Sequence, residues 1–239
     1  MSPSVWPFRR RRGHHGPAGA QARPPSAGPP APAPPPVDPL LRWKLERWFD
    51  CLLAESPGTG RYAAPARLSF GDYELAATRV LRAFRHRPGG REHRRLLSCL
   101  RKLWRVHTAH AGAGGEVLDR EAFAAGVARA LRRERRALVA AVNSVCCALV
   151  DLADADGDGV ISEREYRVLL SAVFRLASEH DLRTAYRALD RDSSGTLEHN
   201  EVHVAFVEFF TSTDPHAPGN WLLGAPRPPR GESERPRGA

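Results

Sequence analysis

Apolar residues recur every three or four positions through the C-terminal half of the chain, which is the spacing of one face of an α-helix. We therefore predict an amphipathic helix over each of three segments. Their apolar positions are Tyr166, Val168, Leu169, Leu170, Val173 and Phe174, then Leu182, Tyr186 and Leu189, and then Val204, Ala205, Val207, Phe209 and Phe210. A further apolar run, residues 137–153, contains Asn143, Ser144 and Asp151, so it is predicted to be an amphipathic helix and not a membrane span.

The front half repeats this pattern. Apolar residues at helical spacing predict two helices, and a short apolar group follows each of them. These positions are Trp48, Phe49 and Leu52, followed by Leu68 and Tyr73, and then Leu100, Leu103, Trp104 and Val106, followed by Val117, Leu118 and Phe123. The chain is therefore predicted to be all-α, with four helix-loop-helix units in two pairs that form one compact globule. Minimal two-stranded β pairing between the loops is expected.

Both ends of the chain have a different composition. Residues 1–37 are dominated by Arg, Pro, Ala and Gly and contain no acidic residue, and residues 225–239 have the same character. Such segments cannot bury a core, so both are predicted to be disordered Pro/Arg-rich tails. The folded part then consists of residues 38–145, the first pair of units, and residues 146–224, the second pair with a C-terminal packing segment.

Two segments of the second pair, 154–165 (DADGDGVISERE) and 190–201 (DRDSSGTLEHNE), carry oxygen-bearing side chains at alternate positions. This is the pattern of the EF-hand calcium loop, which supplies ligands from positions 1, 3, 5, 7, 9 and 12 and turns at a glycine in position 6. The predicted metal ligands are Asp154, Asp156, Asp158, the Val160 carbonyl, Ser162 and Glu165, and then Asp190, Asp192, Ser194, the Thr196 carbonyl, Glu198 and Glu201.

The spacing suits calcium, a hard cation that takes about six to eight oxygen ligands. Two Ca²⁺ sites are predicted, with Mg²⁺ as the competing ion. A bidentate glutamate at the last position favours calcium over the smaller, octahedral magnesium. Ile161 and Leu197 occupy position 8 of the two loops, and we expect them to pair as a short antiparallel ladder that couples the filling of the sites.

The corresponding loops of the first pair lack these ligands. Leu68, Asp72 and Tyr73 match positions 8, 12 and 13 of a loop, but about eight extra residues precede them and the alternating carboxylates of a calcium loop are missing. The other loop, residues 111–115, reads AGAGG and offers no oxygen-bearing side chain. Neither unit of the first pair is predicted to bind calcium.

A segment reading PGNWLLG, residues 218–224, follows the last predicted helix. Together with four hands and a degenerate front half, it resembles the sarcoplasmic calcium-binding proteins and the related calexcitin, over roughly residues 40–224. The resemblance implies a compact four-hand globule, calcium or magnesium in two or three hands, and a C-terminal segment packed on the core. It implies that the acidic loop residues are the ligands. The first hand commonly binds in that family, whereas its counterpart here is enlarged and lacks acids.

Charge separates the two pairs. Residues 38–145 hold 21 basic and 11 acidic residues, whereas residues 146–212 hold 6 basic and 13 acidic ones. The halves are expected to attract each other, and bound calcium should weaken that attraction. The basic residues are either a solvated, internally paired surface or a contact for an acidic protein or anionic membrane surface. They include Arg94, Arg95, Arg101, Lys102, Arg105, Arg132, Arg133, Arg135 and Arg136.

These patterns leave two functions open. Sensor hands expose a methionine-lined groove to their targets, and this chain has a single methionine, Met1. The sequence therefore favours an intracellular calcium buffer with a limited conformational response. The alternative is a calcium-dependent regulatory sensor or adaptor that acts on an acidic partner, channel or membrane surface through its basic half.

Other classes have less support. Four cysteines without disulfide or metal spacing indicate reduced thiols and a cytoplasmic location, although Arg9–Arg12 is also compatible with nuclear or mitochondrial targeting. His199 and His203 have a spacing that could hold zinc, but HNEVH is not the HExxH motif. No enzyme is expected, because the strong carboxylate clusters are used by the metal loops. Nucleic acid binding is not expected without a recognition motif, and the chain is expected to be a monomer.

Overall fold

A computed structural model of the chain describes residues 36–53, 66–111, 117–174 and 178–224. Within these residues the helical spacing gives eight α-helices and one turn of 3₁₀-helix. They are α1 Pro39–Leu53, α2 Phe70–Ala83, α3 Arg91–Ala109, α4 Arg120–Arg133, α5 Arg135–Ala153, α6 Glu163–Phe174, α7 Glu179–Leu189, α8 His199–Thr211 and the 3₁₀ turn Pro218–Trp221. The predicted tails lie outside the described residues, apart from residues 36 and 37.

A two-residue or three-residue strand lies between the helices of each unit. The strands are β1 Arg67–Ser69, β2 Val117–Asp119, β3 Val160–Ile161 and β4 Leu197–Glu198. β1 pairs antiparallel with β2, with Leu68 opposite Leu118. β3 pairs antiparallel with β4, with Ile161 opposite Leu197. The all-α prediction, with four helix-loop-helix hands in two pairs and minimal β pairing, is confirmed.

α5 runs without a break across residue 145, where the sequence division between the two pairs was drawn. A single residue, Glu134, separates α4 from α5. Helices of the two pairs pack directly on each other, α3 on α5, α2 on α6 and α1 on α8. The buried side chains form one hydrophobic cluster that runs through both pairs.

Trp48 on α1 lies at the centre of this joint core and is 2% exposed. Its ring lies 5.0 Å from that of Phe210, 6.3 Å from that of Phe209 and 6.5 Å from that of Phe206, all on α8. Buried aromatic rings contribute large apolar areas. The first helix of the first pair therefore packs against the last helix of the second pair.

Lys44, also on α1, is fully buried against the end of α8. Its Nζ donates to the Glu208 carbonyl at 3.0 Å, to the Ser212 carbonyl at 2.8 Å and to the side-chain oxygen of Asn220 at 3.0 Å. The last carbonyls of a helix need partners outside the helix, and a cation suits them best. Burial lowers the pKa of Lys44 to about 8, partly opposed by Glu208 and Asp38, so the amine is charged at neutral pH.

Arg79 on α2 likewise donates to backbone carbonyls at the end of α6. Its Nε donates to the Ala172 carbonyl at 3.1 Å and its Nη2 to the Val173 carbonyl at 3.3 Å. Both carbonyls belong to the last turn of α6, and the last four carbonyls of an α-helix generally need donor partners from outside the helix. The two helices of the first hand thus each hold the end of the helix that follows an acidic loop.

The C-terminal segment packs on the core as the family resemblance implied. Asn220 is 2% exposed and donates to the carbonyls of Asp214 and Pro215. Tyr166 donates its hydroxyl to the Leu222 carbonyl at 3.2 Å. A Cβ at Gly219 would lie 2.5 Å from the Glu208 Cβ, so only glycine permits this approach to α8.

Among the described residues, α5 is the helix whose length and composition would suit a membrane span. In its most apolar stretch, 56% is buried inside the molecule. The core helix of a soluble protein meets the same criterion, and α5 packs against both α3 and α8.

His107 on α3 is a buried histidine at the junction of the two pairs. Its Nδ1 lies 3.3 Å from the Tyr73 hydroxyl, and its ring lies 5.1 Å from that of Phe123. Burial lowers the pKa of His107 to about 3 from an ordinary value of 6.5. The imidazole is therefore neutral in the folded protein at neutral pH.

We predict that the buried, neutral His107 lowers the free energy of unfolding as the pH falls below 6.5. Between pH 6.5 and about 3 the unfolded chain takes up a proton at His107 that the folded chain refuses. The free energy of unfolding should fall by up to about 1.4 kcal/mol for each pH unit below 6.5 through this residue. Urea unfolding at several pH values should show this slope in the parent and a shallower slope in His107→Asn, which keeps a polar partner for Tyr73. Equal slopes in the two proteins would contradict the assignment.

Candidate metal centre

The first acidic loop, residues 154–165, begins where α5 ends at Ala153. The Asp154 carboxylate organises it by accepting from the backbone N–H groups of Gly157 at 2.8 Å, Asp158 at 3.1 Å and Gly159 at 3.1 Å. Gly159 has a φ of 86°, a left-handed conformation that favours glycine. The chain therefore coils around the Asp154 carboxylate.

The second acidic loop, residues 190–201, repeats this arrangement. Asp190 accepts from the N–H groups of Ser194 at 3.0 Å and Gly195 at 2.9 Å. Asp192 also accepts from the Ser194 N–H at 3.0 Å, and hydrogen bonds from Ser194 hold the pKa of the Asp192 carboxyl below its ordinary value. Ser194 donates its hydroxyl to the Thr196 carbonyl at 3.0 Å.

A buried glutamate closes each loop. Glu165 accepts from the Ala155 N–H at 2.8 Å with one oxygen and from Ser162 with the other, at 3.0 Å from its N–H and 2.8 Å from its hydroxyl. Glu201 accepts from the Arg191 N–H at 2.7 Å and the Glu198 N–H at 3.0 Å. Each glutamate thus ties the start of its loop to the first turn of the following helix.

The predicted side-chain ligands converge in both loops. In the first, ligand oxygens of Asp154, Asp156 and Asp158 lie within 4.8 Å of one another. In the second, the converging set is Asp190, Asp192 and Glu201. Glu165 is not part of the first set. Four other predicted ligands lie in or directly beside the two short strands. Val160 is in β3 and Ser162 follows it, while Thr196 precedes β4 and Glu198 is in it.

The separations between the ligand oxygens in each cluster fit a hard cation. Calcium–oxygen distances are about 2.3 to 2.6 Å, so two ligands on opposite sides of the ion are at most about 5 Å apart. The ligand oxygens of each set all lie within 4.8 Å of one another, which meets this requirement. The converging donors are carboxylate oxygens without nitrogen or sulfur, which is the ligand chemistry of calcium and magnesium. These residues would hold such an ion at each loop.

Tyr186 joins the two loops, a role that its apolar spacing in the sequence did not reveal. Its hydroxyl lies 2.8 Å from the Ile161 carbonyl in the first loop and 3.2 Å from the Gly195 carbonyl in the second. Burial raises the pKa of Tyr186 to about 12, so the hydroxyl keeps its proton. This side chain and the β3–β4 pair therefore connect the two loops.

In its described residues the first pair keeps the frame of a hand at the strand and at the start of the following helix. Asp72 accepts from the N–H and hydroxyl of Ser69 at 2.7 and 2.8 Å, as Glu165 does with Ser162. In the second hand Asp119 caps α4 by accepting from the backbone N–H of Ala122. Ala122 occupies the loop position at which a calcium-binding hand has its closing glutamate. The predicted loop insertion and the glycine run fall largely on residues outside the described part of the chain. Within the described residues, converging acidic sets occur only in the second pair.

Comparison with known proteins agrees with this geometry. No protein-family model matches the sequence. A calcium-binding protein of Streptomyces coelicolor superposes with a TM-score of 0.59 at 23% identity, over 73% of this chain and 99% of that one. Calcium-loaded apo-aequorin of Aequorea victoria gives 0.56 at 20% identity, over 74% of this chain and 94% of that one. The coelenterazine-binding protein of Renilla muelleri gives 0.51 at 20% identity, over 77% and 97%.

These likenesses establish the fold. The chain has the four-hand architecture of EF-hand calcium-binding structures, with both pairs of hands present.

One backbone feature of the second loop was not expected from the sequence. Ser193 has a φ of 58°, a left-handed conformation, and Gly157 with a φ of 76° occupies the same position of the first loop. Only glycine adopts this conformation without steric cost.

We predict that Ser193→Gly stabilises the metal-free protein by up to about 1 kcal/mol, because relief of steric strain exceeds the added freedom of the unfolded chain. The matched reverse change, Gly157→Ser, should destabilise it. Urea unfolding in the presence of a chelator measures both. Destabilisation by Ser193→Gly would show that the serine side chain, and not the backbone, determines this turn.

Proposed function

We propose that this chain is a calcium-binding protein with two ion sites, one in each acidic loop, and that it acts as a calcium buffer. The observation that supports this most directly is the pair of all-oxygen clusters, held back to back by the β3–β4 ladder and Tyr186. The structural neighbours add support, since one is described as calcium-loaded and another as a calcium-binding protein. Magnesium is the expected competitor.

Removal of the closing carboxylate should abolish one site at a time. Glu165→Gln and Glu201→Gln each replace the bidentate carboxylate by a neutral amide with one oxygen and keep the side-chain volume, so calorimetric titration should fall from two calcium ions per chain to one. Glu163→Gln, two residues before Glu165 at the half-buried start of α6 and outside the predicted ligand set, is the matched control and should keep both sites. Two ions bound to both loop variants would overturn the proposed ligand sets.

Contacts between the pairs support a limited conformational response. In a sensor, the helices that follow the loops swing away and expose a groove. Here the end of α8 is held by Lys44 and the end of α6 by Arg79, both from the first hand. The C-terminal segment adds the Tyr166–Leu222 contact, and Arg47 donates to the Leu223 carbonyl. Opening would break these buried polar contacts and expose the Trp48 cluster.

We expect calcium to change the fluorescence of a hydrophobic dye very little in the parent protein. Lys44→Met removes the donor for carbonyls at the end of α8, which should lower the free energy of unfolding by about 1 to 3 kcal/mol and increase calcium-dependent dye binding. The control is Lys102→Met, which changes the exposed lysine of α3. A large dye response in the parent would contradict the buffer and favour a sensor.

One observation supports the alternative, a regulatory sensor or adaptor. Arg91, Lys102 and Arg105 are exposed along α3, and residues 132, 133, 135 and 136 add four exposed arginines around the α4–α5 junction. Other cations of α3 are paired internally, Arg95 with Asp151 and Arg101 with Glu74. This exposed basic group fits an acidic partner or anionic surface. Affinity for an acidic peptide that changes with calcium would distinguish this function from buffering.

The proposal describes a binding protein and not an enzyme, since the converging carboxylates of the described residues lie in the two acidic loops. The four cysteines are free thiols, which supports a reducing, intracellular location.

A further inference from the structure

A second group of potential metal ligands lies between α5 and α8, apart from the proposed calcium ligands. The two helices pack on each other. α5 carries Cys147 and Asp151, four residues apart, and α8 carries His199 and His203, also four apart. Residues at this spacing lie on the same face of a helix. Each of the two helices therefore carries a pair of potential ligands on one face, and Cys147 contacts His203 across the interface.

The closest pair already has the separation that a tetrahedral metal site needs. The Cys147 Sγ lies 3.4 Å from the His203 Nε2. Zinc binds thiolate sulfur at about 2.3 Å and imidazole nitrogen at about 2.0 to 2.1 Å, so at a tetrahedral angle the two ligand atoms lie about 3.5 Å apart. A zinc ion can bridge Cys147 and His203 without movement of either helix.

The other two residues stand beside this pair. The Nε2 of His199 is buried and has no hydrogen-bond partner. His199 and Asp151 both interact electrostatically with His203. Asp151 is held by the Arg95 guanidinium, whose charge opposes a cation at this place. In the described parts of the chain, no third ligand atom lies within 4.8 Å of both Cys147 Sγ and His203 Nε2, so ion binding requires His199 and Asp151 to change rotamer.

We propose that Cys147, Asp151, His199 and His203 form a site for zinc or another thiophilic divalent ion, separate from the calcium sites. The thiolate and imidazole ligands favour soft and borderline metals, whereas the acidic loops offer only oxygen to hard cations. Both histidines flank Glu201, the closing residue of the second loop. The loops must therefore be saturated with calcium when the soft site is measured.

The test uses the full chain, reduced, with calcium in excess, and Co²⁺ as a coloured substitute for Zn²⁺. One equivalent of Co²⁺ should bind with a thiolate-to-metal charge-transfer band, and Zn²⁺ should displace it. Cys147→Ser should abolish the band and weaken Zn²⁺ binding by at least about tenfold, and His203→Gln should weaken it similarly. The matched controls Cys51→Ser on α1 and His180→Gln on α7 should leave band and affinity unchanged.

The cobalt and calcium measurements can distinguish failure of this site from failure of the proposed calcium sites. The proposal would be overturned if Co²⁺ bound without the charge-transfer band, or if the band survived Cys147→Ser. It would also be overturned if no Co²⁺ bound, in which case Cys147 and His203 are only a hydrogen-bonded pair. Glu165→Gln should keep the band while losing one calcium ion. If calcium binding fails and the cobalt band persists, the soft site stands without the proposed function.

Discussion

The structure depends on how backbone N–H groups are satisfied at the end of each loop. A carboxylate at the closing position accepts from the residue three places earlier, which ends the loop and starts the following helix. Glu165 and Glu201 do this in the acidic loops, and Asp72 does it in the first hand. The same bonds therefore occur in hands whose sequence carries the full acidic pattern and in the first hand, whose sequence does not. They fix the start of the helix that follows the loop independently of the other ligand positions.

The first pair has a structural role that follows from its charge. Its excess of basic residues is used in part for contacts with helix ends of the second pair: Lys44 of α1 contacts the end of α8, and Arg79 of α2 contacts the end of α6. Arg95 reaches the second pair in another way, through Asp151 on α5. Buried cations at helix ends are stable only where several acceptors converge, because desolvation of a charge is costly. The first pair thus supplies cations that bind the carbonyls at the ends of α8 and α6 in the second pair.

The two candidate metal sites differ in the chemistry of their ligands. The acidic loops are short segments that turn carboxylates toward their own backbone, and their ligand order can be read along the chain. The Cys147 and His203 pair lies on two helices more than fifty residues apart in sequence, with Sγ and Nε2 3.4 Å apart. Oxygen ligands select hard cations and sulfur with nitrogen selects softer ones. The two proposed kinds of site therefore favour different classes of ion.

The sequence by itself determined the helices, the four-hand fold and the identity of the acidic loops, because helical periodicity and loop spacing are local properties. Only the tertiary structure determined which side chains meet across the two pairs. Lys44 and Arg79 looked like ordinary basic residues, and Tyr186 like an apolar helix position, because a partner carbonyl leaves no mark in sequence. The left-handed backbone of Ser193 was equally hidden, since the requirement is set by the loop's curvature and not by the residue that occupies it. Contacts between distant segments depend on packing, and packing is decided by the whole chain at once.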